Sequence, residues 1–459
     1  MLEFHKKKPK NPSKTEPEKR IKDFQEIYSQ FDKNDSVEQS SRCSQCGIPY
    51  CQIHCPLNNN IPDWLRYIAE GRLEEAYQVS ASTNAFPEVC GRVCPQDRLC
   101  EGNCVVEQAG FGAITIGNLE KYLTEIAWEK GWVKNLSSQN QFKQKVAIIG
   151  SGPAGMAASA YLTQNGYQVD VFEKNDRAGG LMIYGIPNFK LDKKIVERRT
   201  EWLLESGVKF NLNMEVGKNI SFQYLEKDYD AILIATGVYK ARKLDIDTSS
   251  VDNSIPALDF LIESNRTGLG DSPSNNKFLT AKDKNVVVIG GGDTAMDCVR
   301  TAIRQQAKEV TCLYRRNKEN MPGSAREVLN AEQEGIKFNW LSVPSKIISD
   351  NSTATSMTYK VAALGEVDES GRRKPVDTGV EKQIKSDLII QALGFEPEDL
   401  NHNFKTNIEL TSWKTVKVDF KKFQTSNPKI FAAGDIVRGA SLVVWAIHDG
   451  REVAKSIHN

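Results

Sequence analysis

Eight of the chain's ten cysteines fall in two groups, Cys43-x2-Cys46-x4-Cys51-x3-Cys55-Pro56 and Cys90-x3-Cys94-Pro95-x4-Cys100-x3-Cys104. Thiolates at such spacings ligate metal. The first group resembles the ferredoxin pattern, in which the last Cys, ahead of a Pro, serves a different cluster from the first three. By that logic Cys55 belongs to a second cluster. Paired cysteines also build closed tetrahedral zinc sites, so zinc is the competing chemistry. His54 beside Cys55 reads as a polar loop histidine rather than a ligand.

A second chemistry is written twice. Gly150-Ser-Gly152-Pro-Ala-Gly155 follows the apolar run Val146-Ala-Ile-Ile, and Gly290-Gly-Gly292-Asp-Thr-Ala295 follows Val286-Val-Val-Ile. A strand, a glycine turn and a helix make a phosphate cradle: Gly150 permits the tight turn, Gly152 lets the backbone approach a pyrophosphate, and Gly155 lets the helix pack on the strand. The helix N-terminus offers unpaired amides to the phosphates. Glu173 closes the next strand of the first copy, where a carboxylate accepts hydrogen bonds from ribose hydroxyls, which suits FAD. The corresponding strand of the second copy ends in Tyr314-Arg315-Arg316, and guanidinium groups there match the 2′-phosphate of NADPH. A chain that holds two dinucleotides is built to move hydride between them, and a flavin that takes electrons in pairs and releases them singly gives iron–sulfur clusters a purpose that zinc lacks. Asp435 after Gly434 is placed to bind flavin hydroxyls, and a helix from about Ser441 to Trp445 would aim its amides at the ring. Cys298 and Cys312 stand apart as buried thiols, which argues against a disulfide reductase.

The elements that must position these groups follow from the pattern. Buried strands such as Val169-Asp-Val-Phe-Glu173, Asp230-Ala-Ile-Leu-Ile, Val310-Thr-Cys-Leu-Tyr and Asp387-Leu-Ile-Ile-Gln alternate with helices. That order predicts an α/β fold of two Rossmann-like, doubly wound parallel sheets. Ile430-Phe-Ala-Ala-Gly-Asp435 returns to complete the first. Pro62-Asp-Trp-Leu-Arg-Tyr-Ile and Ile116-Gly-Asn-Leu-Glu-Lys-Tyr-Leu carry helical spacing, so the cysteines sit in a small helical domain that precedes both sheets. Polar Lys134 to Lys145 is read as a connector. The expected domains are residues 1–142 for the clusters, 143–260 with 395–459 for FAD, and 261–394 for NADPH. Residues 1 to about 35 are rich in Lys, Glu, Pro and Ser and read as a solvated tail, with an arm that orders against a partner as the alternative.

The 459 residues suggest about three domains. Basic and acidic residues number 60 and 59, so no global field favours nucleic acid or a membrane surface. No run approaches the roughly 18 apolar residues that span a bilayer, and the chain reads as cytoplasmic.

From about Ser41 onward the chain resembles the small subunits of NADPH-dependent glutamate synthase, with related modules in NADPH:ferredoxin oxidoreductases and in dihydropyrimidine dehydrogenase. The resemblance rests on Pro87-Glu-Val-Cys-Gly-Arg-Val-Cys-Pro-Gln-Asp-Arg-Leu-Cys-Glu-Gly, Gly179-Gly-Leu-Met-Ile-Tyr-Gly-Ile-Pro, Gly290-Gly-Gly-Asp-Thr-Ala-Met-Asp-Cys, Met321-Pro-Gly-Ser and Ala433-Gly-Asp-Ile-Val-Arg-Gly. It implies FAD, NADPH, two [4Fe-4S] clusters and a large-subunit partner that makes glutamate from glutamine and 2-oxoglutarate. It further implies that Cys43, Cys46, Cys51 and Cys104 hold one cluster, and that Cys55, Cys94 and Cys100 hold the other. Glu120, in Ile114-Thr-Ile-Gly-Asn-Leu-Glu120, stands where the related dehydrogenase has a non-cysteine ligand, and Cys90 competes for that role. Implied FAD contacts are Gly150, Gly152, Pro153, Ala154, Gly155, Glu173, Gly180, Leu181, Lys190, Gly237, Gly434 and Asp435. Implied NADPH contacts are Gly291, Gly292, Asp293, Thr294, Arg315, Arg316 and Gly394. No side chain is needed as an acid or base. Alternatives are a subunit feeding ferredoxin or another acceptor, and a docking module whose clusters are structural.

Overall fold

The computed structural model describes residues 1–138, 142–367 and 373–459. Part of the connector read from Lys134 to Lys145, residues 139–141, lies outside the described residues. Two five-stranded sheets with all strands parallel dominate. The first runs Ile430–Ala432, Ala231–Ile234, Lys145–Ile149, Gln168–Phe172, Lys209–Asn211. The second runs Ser254–Pro256, Leu388–Gln391, Asn285–Ile289, Glu309–Tyr314, Lys337–Trp340. The internal repeat is therefore structural, and the C-terminal strand completes the first sheet as expected.

The reason these strands are apolar throughout lies in their two covered faces. Val146 and Ile148 point into one core and Ala147 and Ile149 into another, the period of two that a pleat imposes. In the second sheet Val286 and Val288 pack with the helices, whereas Val287 and Ile289 meet Ala354, Met357 and Tyr359. Those three belong to an antiparallel sheet of Ser342–Asp350, Thr353–Val367 and Arg373–Lys385, which covers the face that helices cover elsewhere. It is not among the elements expected from the sequence.

Sheet membership also corrects a boundary. Ser254–Pro256 pairs with Leu388–Gln391, so the second unit begins ahead of residue 254 rather than at 261. Two crossings join the units, and their segments Lys240–Ala241 and Phe395–Glu396 pair antiparallel as a short ribbon.

The cysteine-bearing region is helical, with Lys33–Ser41, Ile61–Ala69, Leu73–Ala81, Pro87–Val93 and Ile116–Glu129 packed around Trp64, Leu65, Ile68, Leu119 and Leu123. Asp32 caps the first of these by accepting from the Asp35 amide at 2.7 Å. The region docks on the first sheet through a buried bidentate pair: Arg199 Nε and Nη2 reach the Glu88 carboxylate at 2.5 and 2.8 Å. The Arg199 guanidinium also stacks on Trp128 and Trp202, each at 4.9 Å.

The expected solvated tail is not observed. Arg20 is 1% exposed and paired with Glu334 at 2.8 Å, and Glu26 takes Arg92 at 2.5 Å and Lys121 at 2.6 Å. The first 31 residues lie along the protein's own body because charged groups spaced along them find buried partners of opposite sign.

Replacing Glu88 with Gln leaves Arg199 buried without its counter-charge. Unfolding should become easier by about 3–5 kcal/mol, read as a lower urea midpoint. An unchanged midpoint would show that the docking does not depend on this pair.

Candidate functional site

Gly150 adopts φ 103°, and a Cβ there would run into the Ala235 carbonyl. At Gly155 a Cβ would strike the Gly150 carbonyl oxygen, so only glycine lets the helix Pro153–Gln164 start so close to the strand before it. Behind this turn a cavity of about 510 Å³ opens, in the size range of cofactor sites. Its lining includes Gly150, Gly152, Pro153, Ala154, Glu173, Leu181, Gly237, Gly434 and Asp435. The structure gathers these expected residues around one cavity. Gly155 and Gly180 support the lining from behind: Gly180 closes on Gly152, where its Cβ would meet the Gly152 backbone.

Glu173 is buried and already engaged. One carboxylate oxygen accepts from the Ser151 amide (3.1 Å) and hydroxyl (2.6 Å), the other from the Asn175 amide and side chain at 2.9 and 2.8 Å. A ribose hydroxyl would take the place of one of the side-chain donors. At the opposite side Asp435 accepts from the Ser441 hydroxyl at 2.6 Å and amide at 3.2 Å, and burial pushes its carboxyl above the ordinary range. The helix Val443–His458 starts there, where a helix from about Ser441 is expected, and Leu442, Val443 and Ala446 line the cavity. Tyr239 also lines it, with Lys174 Nζ 4.6 Å from its ring centroid and burial raising its phenol. No motif marked Tyr239 in the sequence.

Lys190 is elsewhere. Its ammonium is 2.7 Å from Asp297 on the helix Asp293–Arg304, so it joins the two units instead of lining the cavity.

The second turn repeats the first. Gly290 sits at φ 148° against Ala392, and Gly292 caps the helix that begins at Asp293. The Tyr314 ring lies where a Cβ on Gly291 would be. The loop Met321-Pro-Gly-Ser324 folds over the turn: Gly323 N donates to Gly291 O at 2.8 Å, and Ser324 N to Asp293 at 2.9 Å. Thr294 is half-buried in the first helical turn. Gly394, at φ 92°, accepts from the Arg242 amide at 3.0 Å where the crossing segments meet. The two arginines are not equivalent. Arg315 is exposed, whereas Arg316 is 5% exposed and donates from Nε to the Arg373 carbonyl at 2.8 Å. Asp97 and Arg98, between Cys94 and Cys100, reach this turn. Asp97 accepts from Ser324 Oγ at 3.2 Å, and Arg98 lies 3.9 Å from Asp293.

The cysteines divide in two. Cys55, Cys90, Cys94, Cys100 and Glu120 line one small cavity. Cys43, Cys46, Cys51 and Cys104 are electrostatic neighbours of one another. Among the described residues no three His, Cys, Asp or Glu side chains close on a single ion. Burial pushes the thiols of Cys51 and Cys55 up to about 12 and about 11, and the Glu120 carboxyl up to about 8. Donors so desolvated ionise only beside a cation, which is the chemistry a metal cluster brings. Asn84 donates to Glu120 at 3.2 Å and fixes its direction. Gln45 donates to the Cys43 sulfur at 3.3 Å. Cys298 and Cys312 are fully buried within the second core, as expected.

One contact ties the sites together. Val443 and Ala446 line the dinucleotide cavity, and Val444, between them, lines the cysteine cavity.

Comparison with known proteins agrees with this geometry. Residues 20–132 match the family model described as dihydropyrimidine dehydrogenase domain II, 4Fe-4S cluster, and residues 144–450 match pyridine nucleotide-disulphide oxidoreductase. The chain is 52% identical over 462 aligned residues to the glutamate synthase [NADPH] small chain of Azospirillum brasilense, covering 100% of this chain and 96% of that protein. It is 45% identical to the Escherichia coli small chain, covering 98% and 96%. Among solved structures, Mycobacterium tuberculosis FprA in complex with NADPH superposes with TM-score 0.57 at 19% identity, covering 69% of this chain and 84% of that one, a likeness of fold. Among the described residues no helix is long and apolar enough to cross a membrane. A helical 4Fe-4S domain ahead of two dinucleotide folds, matched over its whole length by such relatives, places this chain in the family of glutamate synthase NADPH small chains.

Proposed function

We propose that the chain oxidises NADPH at FAD and passes electrons through two [4Fe-4S] clusters to a separate large subunit, which forms glutamate from glutamine and 2-oxoglutarate. The observation that carries this reading is the first turn of the helix Val443–His458, whose successive residues line the dinucleotide cavity and the cysteine cavity. Their adjacency supports electron transfer across the protein interior.

In this reading Gly150, Gly152, Pro153, Ala154, Glu173, Leu181, Gly237, Gly434 and Asp435 hold FAD, with Gly155 and Gly180 setting the turn. The turn Gly291, Gly292, Asp293, Thr294 holds NADPH, and Arg315 meets its 2′-phosphate. Cys43, Cys46, Cys51 and Cys104 hold one cluster; Cys55, Cys94, Cys100 and Glu120 hold the other. When bound, FAD supplies acceptance of a hydride, and the clusters supply carriage of single electrons. The chain's own part is positional. Amides of the two helix N-termini orient the pyrophosphates. Leu442 and Val443 give the cavity apolar walls, and Asp435, held by Ser441, gives the cofactor an acceptor of fixed direction. Proton transfer by a side chain is not required.

The test is turnover with a glutamate synthase large chain, glutamine and 2-oxoglutarate. Glutamate formation only with both chains present supports the reading; NADPH oxidation that feeds ferredoxin but never glutamate would refute the assigned acceptor.

Two further outcomes are expected. Arg315→Ala should weaken NADPH binding by about 1.5–3 kcal/mol, the range of a hydrogen bond to a charged group, with little change for NADH. Arg316→Ala should alter stability more than cofactor choice, and equal losses for both cofactors in the Arg315 variant would contradict the 2′-phosphate role. Iron analysis separates the eighth ligand: Glu120→Ala should lose cluster iron and Cys90→Ala should retain it, and the reverse pattern would assign Cys90.

A further inference from the structure

The nucleotide-binding unit is joined to the rest by a ribbon of Lys240–Ala241 with Phe395–Glu396, two residues on each side. So short a ribbon is a weak joint. The orientation of that unit is therefore held by side chains: Arg177 with Asp271 and Arg266 with Asp176 join it at the helix Ala257–Gly268, and a second, buried group gathers on another helix.

That helix, Asp293–Arg304, begins at the second glycine turn. Its Asp297, Arg300 and Arg304 share a face and are all buried. Lys190 pairs with Asp297 at 2.7 Å. The guanidinium groups of Arg300 and Arg304 stack on Phe189 at 4.5 and 4.0 Å, and Phe24 lies 6.3 Å from the same ring. Glu334 accepts from Arg300 at 2.8 Å, Arg304 at 2.7 Å and Arg20 at 2.8 Å. Arg20 also donates to the Asn330 carbonyl at 3.1 Å, and Lys14 to Gln333 at 2.7 Å. From the other side Asn188 donates to the Phe24 carbonyl at 2.8 Å. Glu26 is held by Arg92 and Lys121 of the cysteine-bearing region, at 2.5 and 2.6 Å.

Residues 13–29 form a closed loop, pinned where Ser29 N meets Ser13 O at 2.9 Å and Thr15 N meets Ile27 O at 2.9 Å. The loop thus touches all three parts of the molecule. We propose that it is a strap that sets the orientation of the NADPH-binding unit toward the FAD cavity, with Arg20 as a positioning residue that acts through Glu334 on the helix Asp293–Arg304. The inference rests on the functional reading above, since it takes the second turn as the NADPH site and the first as the FAD site.

The charge arrangement makes the test clean. Arg20, Arg300, Arg304 and Arg326 face Glu327 and Glu334, four cations against two carboxylates. Without Arg20 three cations still face the two carboxylates, so Arg20→Met frees the strap without stranding a buried anion.

The experiment compares the full-length holoprotein with Arg20→Met, Arg20→Lys and Phe24→Ala. Trypsin cleavage after Lys19 and Lys22 reports strap release, NADP⁺ titration reports affinity, and stopped-flow mixing with NADPH reports flavin reduction. In Arg20→Met the strap should become cleavable and the limiting reduction rate should fall on the order of tenfold, while NADP⁺ affinity stays within about twofold. Arg20→Lys should restore protection and part of the rate. Phe24→Ala, which loosens the strap without touching a charge, should reproduce the loss and serves if Arg20→Met fails to fold. A cleavable strap with an undiminished limiting rate overturns the proposal, as does a reduced rate with the strap still protected, or parallel loss of flavin, NADP⁺ affinity and rate. Failure of NADPH to reduce the unaltered protein would instead overturn the functional reading.

Discussion

The arrangement depends on how closely the helix Val443–His458 can approach the helix Pro153–Gln164. They cross at Gly450, where a Cβ would collide with the Ala154 carbonyl and crowd Ala157. Only a residue without a side chain permits that approach. It brings the start of the C-terminal helix over the first glycine turn and lets Asp449 hold Arg438 at 2.6 Å beside Gly434. The same helix also carries Arg451, which donates to the carbonyls of Leu57 and Thr83 at 3.0 and 2.8 Å and so anchors the cysteine-bearing region. A steric allowance at one residue thereby sets two cavities on either side of one helical turn.

The two sheets show one architecture put to two uses. Both place a glycine turn after a central strand, and both set a backbone carbonyl, of Ala235 or Ala392, where a Cβ on the first glycine would be. They differ in how the outer faces are closed. The first sheet is covered by helices and by the Leu400–Val416 segment, the second by an antiparallel sheet whose strand Arg373–Lys385 supplies the carbonyl that holds Arg316. That difference frees Arg315 as the cation at the strand end.

Much of this was legible in the sequence, because the chemistry is written in local spacing. A strand, a glycine turn and a helix are contiguous, so Gly150 to Gly155 and Gly290 to Ala295 announce their geometry before any tertiary contact forms. Cysteine spacing announces clusters for the same reason and sets Cys55 apart, although the full ligand sets came from the resemblance. What was not legible depends on residues far apart. Arg20 and Glu334 are separated by 314 positions, and nothing near Arg20 marks it as buried. Lys190 has a motif around it but takes Asp297, 107 positions away, as its partner. Arg315 and Arg316 look alike until the antiparallel sheet is in place, and that sheet is hard to read from sequence because its outer strand is polar and exposed and its central strand is buried on only one side, without the continuous apolar run of a doubly buried strand.

One turn of the C-terminal helix borders both the dinucleotide cavity and the cysteine cavity, and the proposed electron path depends on it. Val444→Asp tests it most directly, because it adds a negative charge to the cysteine cavity on the same turn whose Val443 and Ala446 line the dinucleotide cavity. Spectroelectrochemistry of the holoprotein should then show the reduction potentials of a cluster and of the flavin both lowered, with the larger change at the cluster. A change confined to the flavin, or none at either centre, would contradict the shared turn.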